Sequence, residues 1–204
     1  MKGESCCMKN KKDYGFNDYF EMALYFLALT CFIYFLFKGN KTKTLQPVLT
    51  ILVLYSIRIL LRKFNLLPLS GLRFSILTFI FVTMFLANEF NFYSYIPHLD
   101  KIEHLLSGIL LTFIGMSLFK YLSGKEQYLK VSAPTIVLFS FFFSTAMAGL
   151  WEVFEFSTDI IFSLNSQNGS LTDTMTDIIC GSVGALFTSI YLYYKVHKLS
   201  TTAY

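Results

Sequence analysis

Three apolar stretches carry carboxylates at helical spacing: Asp100-Lys-Ile-Glu103-His104-Leu-Leu-Ser107-Gly108, Gly149-Leu-Trp151-Glu152-Val-Phe-Glu155-Phe-Ser-Thr-Asp159 and Asp173-Thr-Met-Thr-Asp177-Ile-Ile-Cys-Gly181-Ser-Val-Gly184. Positions 100, 103, 104 and 107 share one helix face, as do 152, 155 and 159, and as do 173 and 177 with the glycines that follow. Acids in such segments are costly unless paired, metal-bound or facing a wet cavity, so they predict one functional site. Carboxylates with one imidazole suit a hard or borderline divalent metal ion, which activates water and neutralises phosphate charge. On that reading His104, Glu152, Glu155 and Asp177 are the metal ligands. Asp100, Glu103 and Asp173 are the catalytic carboxylates, with Asp100 or Glu103 as general base. Simpler roles compete: Asp100 as a helix N-cap with Glu103 completing a capping box, and Asp173 beside a helix terminus capped by Thr172. The three acids of the middle stretch have no Lys or Arg on the same helix. Their repulsion must be relieved by protonation, by a cation or by a partner such as His104.

The elements that position these residues are apolar blocks. The chain has 204 residues, 54% hydrophobic, 18% aromatic and 15% charged, which is too apolar for an ordinary soluble domain. Six blocks near the length that crosses about 30 Å of hydrocarbon fall at roughly 19–37, 45–62, 74–92, 101–121, 133–159 and 174–194. The predicted fold is therefore all-α: a polytopic membrane helical bundle of six transmembrane helices forming a single domain over 1–204. Residues 1–18 and 195–204 are its tails and 19–194 the bundle. Little chain remains for a soluble catalytic domain. Gly108 and Gly115, with Ser107, and Gly181 with Gly184 predict close helix approaches.

Charge sets the expected orientation. The net charge of +4 is spread over short connections with no nucleic-acid motif, so no nucleic acid partner is expected. Lys2, Lys9, Lys11 and Lys12, then Arg62, Lys63 and Arg73, then Lys120, Lys125 and Lys130, then Lys195 and Lys198 alternate with the Lys- and Arg-free segments 93–99 and 160–173. The positive-inside rule then puts both termini in the cytoplasm and all three acidic stripes at the outer face. Lys38, Lys41 and Lys43 break the pattern in the first outer loop. Arg58 and Arg62 are expected to snorkel to lipid phosphate. Helix 1, without internal charge after Glu21, reads as lipid-facing scaffold, and Glu89 as interfacial. Tyr93, Tyr95 and Pro97 read as an interfacial loop. Cys6, Cys7, Cys31 and Cys180 form no disulfide or zinc pattern. Asn168-Gly169-Ser170 matches a sequon that recurs by chance, and no cleavable signal peptide is expected.

The ordered trio Asp100-Lys-Ile-Glu-His104, Trp151-Glu152-Val-Phe-Glu155 and Asp173-Thr-Met-Thr-Asp177, with Gly181-Ser-Val-Gly184-Ala, resembles the YjdF-like bacterial inner-membrane proteins. It is more distantly similar to the VanZ-like family, whose namesake is linked to glycopeptide resistance. The resemblance covers about residues 90–194 and implies a multi-pass protein of the bacterial plasma (inner) membrane. Three functions fit the residues. One is a cell-envelope accessory protein that binds membrane lipids or another amphiphilic or lipid-linked small molecule. The second is a metal-assisted hydrolase or transferase acting on a lipid-linked phosphate, and the third is a cation or proton carrier using Glu152 and Asp177.

Overall fold

The computed structural model describes residues 15–66, 69–163, 167 and 170–201. The Cys6–Cys7 pair, Pro68, Asn168 and Gly169 of the sequon, and most of the tail expected over 1–18 lie outside them. Six helices follow one another: α1 (Phe16–Phe37), α2 (Lys41–Lys63), α3 (Ser70–Ile80), α4 (Leu99–Tyr128), α5 (Ala133–Phe162) and α6 (Leu171–Thr201). α3 runs on as a π-helix over Phe81–Glu89, and a single 3₁₀ turn, Phe92–Ser94, precedes α4. Among the described residues there is no strand. Among the described residues six helices, α3 counted with its π-helical extension, are long and apolar enough to cross a membrane.

Several of the expected boundaries move by a turn or more; α2 begins at Lys41, α3 at Ser70, and α4 runs on to Tyr128. α1 starts at Phe16 rather than 19, because Gly15 N–H donates to Asp18 Oδ2 at 3.0 Å and closes the first turn. α6 continues through 195–201, where a tail was expected. At Gly124 the backbone breaks locally, with a φ of 72° that glycine adopts freely, and helix resumes to Tyr128.

The helices pack as two groups. α1, α2 and α3 share a core of Leu24, Ala28, Leu54, Leu61, Ile76, Leu77, Ile80 and Phe85. At one end this group is tied by charge: Arg73 donates to Asp18 Oδ1 and to Glu21 Oε2, both at 2.7 Å, and Arg58 donates to Glu21 Oε1 at 2.7 Å. Arg58 therefore does not snorkel, and α1 is not plain scaffold. Glu21, buried at 3% exposure, requires the two guanidiniums that α2 and α3 supply.

α4, α5 and α6 form the second group and touch nearly backbone to backbone. A methyl built at Gly184 would lie 2.1 Å from the Leu105 carbonyl oxygen, and one at Gly115 would lie 3.1 Å from Ser140 Cα. Gly181 faces Ala148 Cβ at 3.0 Å from the position of such a methyl. Ser144 Oγ donates to the Gly108 carbonyl at 2.9 Å, fixing α5 on α4. This close packing brings the first turns of α4 and α6 beside the later turns of α5.

Candidate functional site

The cap expected at Asp100 is not formed. His98, in the left-handed region at φ 58°, precedes α4 and provides no side-chain cap. Asp100 lies within the first turn, its carboxylate turned to Lys101 and His104. Glu103 accepts a hydrogen bond from the Tyr93 hydroxyl at 2.8 Å instead of reaching back along the helix. Desolvation and the neighbouring Glu103 carboxylate raise the Tyr93 phenol above its ordinary range, which keeps it a protonated donor. At α6 the capping group is Ser170, whose hydroxyl and carbonyl both accept from Asp173 N–H, rather than Thr172.

His104 Nε2 stands among three carboxylates from three helices. Asp100 Oδ1 is 3.6 Å away on its own helix, Glu152 Oε1 is 3.7 Å away on α5 and Asp177 Oδ1 is 4.0 Å away on α6. These separations exceed a hydrogen bond. They approach the edge of a tetrahedron of about 3.4 Å that follows from metal–ligand bonds of about 2.1 Å. His104, Glu152 and Asp177 are all buried, at 6%, 3% and 2% exposure, and Glu152 Oε1 makes no hydrogen bond. Asp100, His104 and Asp177 each present one donor atom, all within 4.8 Å of one another. Glu152 falls outside that group, so a divalent cation held by all four residues requires the Glu152 carboxylate to move toward the other three.

Lys101 is the residue that spacing alone passed over. Its ammonium donates to Asp177 Oδ1 at 2.6 Å, to Asp173 Oδ1 at 2.7 Å and to Asp100 Oδ2 at 3.3 Å. Asp173 is thus engaged with Lys101 rather than with His104. One ammonium faces Asp100, Asp173, Asp177 and, across His104, Glu152, so negative charge remains in excess. The signal was present in the Asp100-Lys-Ile-Glu-His104 motif itself, where a cation sits beside the first acid. Gln167, from the connection between α5 and α6, folds over the site and donates through Nε2 to the Glu152 carbonyl at 3.1 Å and to Glu152 Oε2 at 3.4 Å. Its backbone N–H donates to Asp159 Oδ2 at 2.9 Å.

Two of the expected residues point elsewhere. Glu155 Oε1 accepts from Trp151 Nε1 at 2.9 Å, and the side chain lines a small crevice with Gln46, Thr50, Asn88 and Thr158. Glu103 lines a cavity opposite residues of α3. Glu89 is buried at 4% exposure, at the end of the π-helical segment. There Lys43 donates to the Asn88 and Glu89 carbonyls at 2.5 and 3.3 Å. That contact explains Lys43, expected in a loop but placed in the first turn of α2: it satisfies carbonyls that the helix end leaves open.

The family described as Predicted membrane protein (DUF2238) matches residues 20–198, and the chain belongs to it. An uncharacterised protein of Thermotoga maritima is 31% identical over 117 residues, 57% of this chain and 58% of that protein, so the chain spans little more than half the length of this relative. No solved structure matches.

Proposed function

We propose that this DUF2238 member holds a divalent cation among Asp100, His104, Glu152 and Asp177 and through it binds the head of a lipid or other amphiphile, as an accessory protein of the cell envelope. The chain is read as one integral domain of the bacterial plasma membrane. Both termini are cytoplasmic and the site lies near the outer face, in keeping with the basic residues gathered at the opposite helix ends. The observation that carries the reading is the position of His104 Nε2, 3.6–4.0 Å from carboxylate oxygens of three helices, one of them buried without a hydrogen bond. Buried acids that face an imidazole too distant for hydrogen bonding are suited to a shared cation. The YjdF-like resemblance of the three motifs agrees with this family; the more distant VanZ-like one adds nothing to the reading.

Lys101 favours a second reading, metal-assisted hydrolysis or transfer at a lipid-linked phosphate. An ammonium beside a metal ion is the pair of charges that steadies a phosphoryl group in reaction. Glu103 does not touch the donor set, so Asp100 is the carboxylate placed to act as base in that case.

Equilibrium dialysis of Mn²⁺ and Zn²⁺ against the detergent-purified full chain tests the cation. One ion per wild-type chain is expected, lost in His104→Ala and in Asp177→Asn. In Lys101→Met the affinity rises at least about tenfold, since an ammonium about 5 Å from a doubly charged ion opposes binding by up to about 7 kcal/mol at an effective dielectric of about 20. Folded wild-type protein that takes up no ion refutes the reading. Phosphate release from lipid-linked phosphates, dependent on the ion, separates the second reading from the first.

A further inference from the structure

A second cavity lies away from His104, between α3 with its π-helical extension and α4. It is lined by Phe74, Thr78 and Val82 on one side and by Glu103, Leu106 and Leu110 on the other, and its volume is about 280 Å³. That is nearly twice an engineered cavity of about 150 Å³ that takes benzene. It lies where the two helix groups meet. Phe74 and Leu106 at its mouth are 43% and 42% exposed, so it opens sideways from the membrane-spanning region.

The lining is graded along the helix. Glu103 sits about one turn inside the start of α4, and Leu106 and Leu110 follow it inward over about 10 Å, a third of the hydrocarbon thickness. A polar head over a hydrocarbon tail has the same gradient in a bilayer. Glu103 is 5% exposed; Oε2 is held by Tyr93 while Oε1 has no hydrogen-bond partner. Thr78 Oγ1, on the opposite wall, is also buried without one. A carboxylate oxygen without a partner, on a side chain that lines an apolar crevice, calls for a donor that arrives with hydrocarbon attached.

We propose that this crevice binds one chain of a primary-amine amphiphile, with the ammonium donating to Glu103 Oε1 and the hydrocarbon lying along Leu106 and Leu110. The acid selects amine over carboxylate, and the Tyr93 hydroxyl holds it in position. The site goes beyond the cation reading and stands without it, because Glu103 faces α3 whereas His104, the next residue, faces α5 and α6.

The full chain in phosphatidylcholine nanodiscs, titrated with dodecylamine, dodecanol or dodecanoate and read by native mass spectrometry, tests it. One dodecylamine per chain is expected, with dodecanoate excluded. Glu103→Gln keeps the shape and weakens dodecylamine about tenfold, the loss of one charge-assisted hydrogen bond, while dodecanol binding is unchanged. Leu106→Trp fills the crevice and abolishes both. His104→Ala retains dodecylamine, which separates this proposal from the cation site. Equal dodecylamine affinity in wild type and Leu106→Trp overturns it, as does dodecanoate bound as tightly as the amine. A chain dimer that Leu106→Trp dissociates overturns it too, by giving the crevice to a second copy.

Discussion

Gly108→Ala tests whether the contact of α4 with α6 sets the geometry of the site. A methyl at Gly108 would lie 2.0 Å from the Gly181 carbonyl oxygen, 2.9 Å from its carbon and 3.0 Å from Ala185 N. These are backbone atoms, so no side chain can swing aside. Restoring ordinary contact at about 3.4 Å requires the helices to part by about 1.4 Å, an overpacking that costs about 1–3 kcal/mol. Asp177 is one turn from Gly181 on the departing helix. A rigid shift of that size stretches its 2.6 Å contact with Lys101 to about 4 Å, the limit of an ion pair. Thermal unfolding in detergent should fall by about 2–12 °C, and the affinity for Mn²⁺ should fall with it. Gly149→Ala is the control: it is also a helical glycine, but a methyl there meets nothing within 4 Å, so the helix loses only an unfavourable glycine. Gly108→Ala unfolding within about 1 °C of wild type would refute the reasoning, since it leaves no room for even the smallest overpacking cost.

Glu155→Gln should leave ion stoichiometry unchanged, because its carboxylate is held by Trp151, whereas Glu152→Gln should weaken ion binding; dialysis of both variants reverses the assignment if Glu155→Gln is the one that loses the ion. At the other end of the molecule, Arg73→Met should destabilise by about 3–5 kcal/mol, the cost of leaving buried charge without its partner. Arg58→Met should cost less, since the Arg58 side chain is 28% exposed and contacts Glu21 alone, while Arg73 is 9% exposed and contacts two carboxylates. Chemical or thermal unfolding gives the order, and the reverse order would contradict it. Ion affinity in every one of these variants should rise with pH, because the ligating imidazole and carboxylates must be deprotonated; dialysis at several pH values checks the sign.

The helices were legible because apolar blocks of membrane-crossing length have few alternatives, and the small faces at Gly108, Gly115, Gly181 and Gly184 announced close helix approaches without saying between which helices. The site was legible only as a set of stripes. Glu152 and Glu155 are three residues apart, about 60° around the helix, enough for one to face His104 and the other Trp151. Glu103 and His104 are neighbours in sequence and so about 100° apart, which sends them to different helices. Lys101 passes for a membrane-surface lysine until α6 is seen beside it. Glu21, Arg58 and Arg73 come from three helices, and no periodicity within one helix reports a contact between them. The π-helical turn of Phe81–Glu89 has no residue signature in its apolar sequence.

The central claim is that His104 is a ligand in a site shared by α4, α5 and α6. Electron spin-echo modulation of Mn²⁺ bound to the purified chain reads it most directly. A coupling from one directly coordinated imidazole nitrogen is expected, absent in His104→Ala. A bound ion with no nitrogen in its coordination sphere would contradict it.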